Sequence, residues 1–161
     1  MPSYIQDMMA RVAAMEIEAL ATITSGAFDA VKYWPYQQEV TPYMTNRLGE
    51  MTPDYDAFTE DIEQYNHTIL MRIVVDHVTA GYAGDKADLA YQYAQAIETY
   101  FREHPQLTTN AGSYTTVPNY LQELTRLISH TGLVVFDNGG IGALQLGIEF
   151  TLQIPFLREA Y

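Results

Sequence analysis

Four histidines, His67, His77, His104 and His130, are the side chains in this sequence best suited to hold a metal or move a proton near neutral pH. A metal needs three or four ligands converging on one point. His67 and His77 fall in a run that alternates like a strand, which would place them on one face but about 30 Å apart. Within that run neither has an acidic or further histidine partner on the same face. His104 and His130 stand at or near the ends of predicted helices, where a cation meets free carbonyls, so capping is the expected role. The acids Asp54, Asp56, Glu60, Asp61 and Glu63 could attract a divalent cation, but they lack the Asp-x-Asp-x-Asp-Gly spacing of a calcium loop and read as a solvated run. Gly139-Gly140-Ile141-Gly142 leads into a strand, not a helix N-terminus, and reads as a hairpin turn. Nucleophile-elbow, Walker, dinucleotide and His-Glu-x-x-His motifs do not occur. The expectation is a protein with no catalytic, cofactor-binding or metal-binding residues, and not an enzyme.

Composition narrows the remaining classes. The chain has no cysteine, which excludes disulfides, thiolate chemistry and sulfur-ligated zinc. Eight basic residues face twenty acidic ones, a net charge of −12, and the basic residues are scattered from Arg11 to Arg158. Binding a phosphate backbone or an anionic membrane needs several cations on one face, so neither partner is expected. The first residues lack a basic n-region, and no apolar run approaches the ~18 residues of a membrane span. With 161 residues, 48% of them hydrophobic, the chain is expected to fold as one domain with a packed core.

The elements that must carry these residues follow from periodicity. Ser3 with Gln6 reads as a capping pair opening an amphipathic helix over 3–24. From 29 to 64 the pattern fails at Pro35, Pro42, Gly49 and Pro53, which predicts a long irregular arm. That arm carries Trp34, Tyr36 and Tyr43, residue types that anchor protein interfaces. Residues 67–78 alternate as a strand with His67, Ile69, Met71, Ile73, Val75 and His77 on one face. Asp85 is placed to cap a helix lined by Leu89, Tyr93, Ile97 and Phe101 and ended before Pro105. Pro118 is expected to open a short helix through Ile128, stopped at Gly132. Leu133–Phe136 and the alternating run from Leu144 to Phe156 then form a hairpin, with Gln145, Glu149 and Gln153 on the polar face of its long second strand. The fold class expected is α+β: a small antiparallel or mixed β-sheet with helices packed on one face, plus the arm. A pocket lined by Tyr93, Tyr100 and Phe150 would favour a small-molecule-binding domain.

The N-terminal helix, the arm, the strand Thr68-Ile-Leu-Met-Arg-Ile-Val-Val75, the Asp85 helix and the strand ending Leu152-Gln-Ile-Pro-Phe156 together resemble the tail terminator proteins of long-tailed bacteriophages. The likeness covers most of 1–161 as a single domain and is strongest over 67–156. It implies a structural virion protein of the neck, assembled in the host cytoplasm: a homo-oligomeric ring, usually a hexamer, that ends tail-tube growth. Its implied partners are the tail tube protein and the head-side connector or completion protein. Another neck or tail part, such as a head-completion or tube protein, is the neighbouring alternative. On this reading Trp34, Tyr36, Tyr43, Gln145, Glu149 and Gln153 are the expected intersubunit contacts. The acidic charge would let DNA pass through a lumen without sticking.

Overall fold

A computed structural model describes residues 4–21, 23, 29–31, 42–55, 62–78, 86–121, 123–137 and 144–159. It is an α+β fold. The elements run α1 (Tyr4–Leu20), β1 (Asp29–Val31), β2 (Tyr43–Pro53), β3 (Ile62–Val78), α2 (Ala87–Glu103), β4 (Arg126–His130), β5 (Val134–Phe136) and β6 (Leu144–Glu159). They build one six-stranded sheet in the order β1-β2-β3-β6-β4, with β5 also paired to β6. Among the described residues only β1 and β2 pair in parallel; every other neighbour is antiparallel.

The centre of the sheet is the β3–β6 ladder, which runs from Ile62↔Glu159 to Val78↔Leu144. Strict alternation in both strands explains it, because each can bury one whole side. Ile69, Met71 and Ile73 of β3 meet Leu152, Phe150 and Ile148 of β6 on that side, all essentially inaccessible to water. Met8, Met9, Val12 and Met15 of α1 and Ala90, Tyr93, Ala94 and Ile97 of α2 cover it. Methionines fill the irregular gap between helix and twisted sheet because their unbranched chains adapt to it. Seventeen strand residues span about 55 Å. Each 17-residue helix spans only about 25 Å. The ladder therefore reaches well past the helices that cover its middle.

Gly147 shows how closely the central strands approach. A Cβ there would lie 2.0 Å from the Ile73 carbonyl oxygen. Beside it the register slips between Val74 and Asp76, which makes a β-bulge.

Three expectations are corrected. Within the span read as an irregular arm, 29–31 and 43–53 are strands; β2 is paired with β3 from Tyr43↔Val74 to Pro53↔Tyr65. Its prolines flank the paired stretch or sit at its end, so they cost no central ladder bond. The predicted helix opening at Pro118 is a turn followed by β4, because Leu127 and its neighbours find the free edge of β6. Spacings of three and one residues suit a bulged strand as well as a helix. Finally, the bulge beyond Val74 reverses the parity of β3, so His77 pairs with Gln145 on the face opposite His67. The residue before α2 is Lys86, which makes no side-chain cap, and Asp85 lies outside the described residues.

Candidate functional site

On the helix-covered face, α1 inserts polar groups at defined points. Glu16 is wholly buried and accepts a hydrogen bond from the Asn46 amide of β2. Burial raises its pKa to about 8, against the lowering effect of that bond, so the carboxyl keeps its proton at neutral pH. Arg11 binds Asp7 at 2.8 Å and donates to the carbonyls of Leu107 and Thr116 at 3.0 and 2.7 Å. Tyr120 donates to Asp7 at 2.8 Å. Desolvation raises the Tyr120 pKa, and the Asp7 carboxylate adds to it. Glu18 accepts from the Tyr100 hydroxyl at 2.6 Å and from the Asn110 and Ala111 amides. Burial works to raise the Glu18 pKa, but those donors and the neighbouring His104 hold it below the usual carboxylate value. One side of α1 thus ties the 104–120 connection to the core, and Leu107, at φ 56, turns that connection inward.

The opposite face carries a polar network. Arg72 binds Glu149 through Nε and Nη2 at 3.0 and 2.9 Å and donates to Gln145 Oε1 at 3.2 Å. Gln145 in turn donates to the Tyr43 hydroxyl at 3.0 Å, and that hydroxyl lies 3.0 Å from His77 Nε2. The Phe136 ring covers the guanidinium at 3.9 Å. All these side chains project from paired strands on one face, so strand register alone assembles them. The network links these five side chains, Arg72, Glu149, Gln145, Tyr43 and His77, across three strands and so holds the strand register.

Of the residues expected at subunit contacts, Tyr43 and Gln145 are buried inside this network, and Glu149 is tied to Arg72. Strand pairing places Tyr43 and Gln145 within the fold of the single chain. Gln153 is partly exposed at the β4–β6 pairing, opposite Arg126. Trp34 and Tyr36 lie outside the described residues. Tyr93, Tyr100 and Phe150 are core side chains, and Tyr100 also lines a groove with Glu18, Gln92 and Glu103.

His67 stacks on Phe156 at 4.3 Å and neighbours Tyr4, and burial lowers its pKa. His104 caps α2, its Nδ1 2.9 Å from the Tyr100 carbonyl, as expected. His130 is on β4 and not at a helix end; it contacts Glu98 of α2 at 3.1 Å. Among the described residues no group of three or more His, Asp or Glu side chains could hold a metal. No described helix is long and apolar enough to cross a membrane.

A groove of about 900 Å³ lies between α2 and β4. Glu98, Phe101 and Arg102 form one wall, and residues 123–130 form the other. Leu124 and Ile128 there are more than half exposed. The sequence signal for this site was weak because β4 lay hidden in a helix-like spacing. No family model matches this chain, and no curated protein matches it.

Proposed function

We propose that this protein is a structural ring subunit of the kind that ends a phage tail tube and joins it to the head-side connector. One observation carries the reading: a sheet whose core is filled by its own helices, yet whose last strand in the order, β4, pairs with β6 and lines an open groove with exposed Leu124 and Ile128. A sheet edge is a ready template for another chain. The net charge of −12 suits a lumen through which DNA slides.

Light scattering on the purified chain tests this. A discrete closed oligomer, six copies of the 18.2 kDa chain being the expected number, supports it. A monomer at every concentration, which also fails to bind tail-tube protein, overturns it. Binding to a head-completion protein without binding to the tube would move the assignment to another neck component.

A further inference from the structure

His67 occupies a place that a histidine fills badly. It is 2% exposed on the helix-covered face of β3, and neither ring nitrogen has a hydrogen-bond partner among the described residues. Even a neutral imidazole carries one donor and one acceptor, so both are left unsatisfied away from water. Its neighbours are rings: Phe156 stacks on it with centroids 4.3 Å apart, and Tyr4 lies at 5.9 Å. Tyr4 in turn stacks on Phe156 at 5.1 Å and lies 6.0 Å from Tyr120, and Tyr65 stacks on Phe156 at 5.5 Å. A phenylalanine would give the same packing without two orphaned nitrogens.

The charged groups around this cluster are engaged elsewhere. On α1, Asp7 and Arg11 pair with each other at 2.8 Å, and Asp7 also accepts from the Tyr120 hydroxyl. On β3, Glu63 accepts from the Tyr65 hydroxyl at 2.7 Å. Across the ladders β2 sets Met51 and β6 sets Ile154 opposite His67, neither of them titratable, and Glu50 beside Met51 is exposed. Among the described residues no carboxylate pairs with the His67 ring. A cation among aromatic faces gains some attraction, but that does not replace two hydrogen bonds. A protonated His67 must therefore reach water. Its most movable cover is Tyr4, which is 37% exposed and stands in the first turn of α1, where a helix opens most readily.

We propose that His67 is an acid-sensitive latch: its neutral ring holds Tyr4 and the first turn of α1 against the sheet, and its protonation releases them while the ladder beneath stays paired. This inference does not depend on the assembly reading.

Burial fixes the direction. It lowers the His67 pKa from the ordinary 6.5, so the opened form takes up a proton below that value while the packed form resists it. The latch is closed above pH 6.5 and loosens as pH falls below it.

Hydrogen exchange tests it. The Met8 and Met9 amides bond to the Tyr4 and Ile5 carbonyls in α1. Their protection, corrected for intrinsic exchange, should fall by up to about tenfold between about pH 7.5 and 5.5, the limit for one proton, while protection at 148–152 of β6 holds. His67→Phe should abolish the fall and be at least as stable as the wild type at neutral pH. A second measurement needs no variant: the His67 Cε1–H resonance of the wild type should titrate in step with the loss of protection. Met8 and Met9 amides that ignore pH, a fall shared equally by 148–152, a fall that persists in His67→Phe, or a His67 that titrates while those amides stay protected overturns the latch.

Discussion

The two faces of the β3–β6 ladder are made by the same residues in alternation, yet they are closed by different physics. Beneath the helices, Met71, Ile73, Ile148 and Phe150 exclude water by apolar contact. On the other face, Arg72, Glu149, Gln145, Tyr43 and His77 are held by hydrogen bonds that they supply to one another. The apolar face tolerates approximate fit, because dispersion and burial are non-directional. The polar face depends on register, because each donor must meet its acceptor. A slip of one residue would disperse that network altogether, so the polar face specifies the pairing that the apolar face stabilises.

The most severe way to break both faces together is Gly147→Ala. Its Cβ would press on the Ile73 backbone, where no side chain can yield. A loss of about 4 kcal/mol or failure to fold is expected in urea melts. Phe150→Ala attacks the apolar face alone and should cost about 3–5 kcal/mol without changing the pairing. Arg72→Ala should cost about 3 kcal/mol, since it leaves Glu149 and Gln145 without their donor. The contrast sharpens if hydrogen exchange in the Arg72 variant rises first at the 145–149 amides, whereas the Phe150 variant loosens the whole sheet.

A smaller effect comes from the protonated acid Glu16 on the apolar face. Glu16 keeps its proton to about pH 8 in the fold but only to about 4.5 when unfolded. Its contribution is therefore full below the lower value and is lost as pH rises through the upper one. The slope is at most about 1.4 kcal/mol per pH unit. Melting temperature should fall between those pH values, and Glu16→Gln should flatten the fall. Glu18 works in the opposite sense: its depressed pKa gives stability at neutral pH that is lost under acid.

The elements legible in the sequence were those whose own pattern outweighs any context: α1, α2, β3 and β6 each repeat a clear period. Where a partner decided the conformation, local reading failed. Leu124, Leu127 and Ile128 fit a helix until the free edge of β6 is known, and Thr45 and Asn46 hide β2 because two polar residues are buried there. The Arg72 network joins residues more than seventy positions apart, so only half of it showed, as the same-face polar positions Gln145 and Glu149. Its one further signal was a lone cation inside an otherwise apolar strand.

The strand that β3, β4 and β5 all pair with is β6, the last described element to leave the ribosome. Until it emerges, β4 and β5 have no mate and β3 is an unguarded edge beside β2. Closing Ile62 onto Glu159 then ties nearly a hundred residues into one loop. Such non-local closure is slow. From residue 78 until β6 is made, the growing chain carries β3 with one edge open, the kind of edge on which incomplete chains mispair.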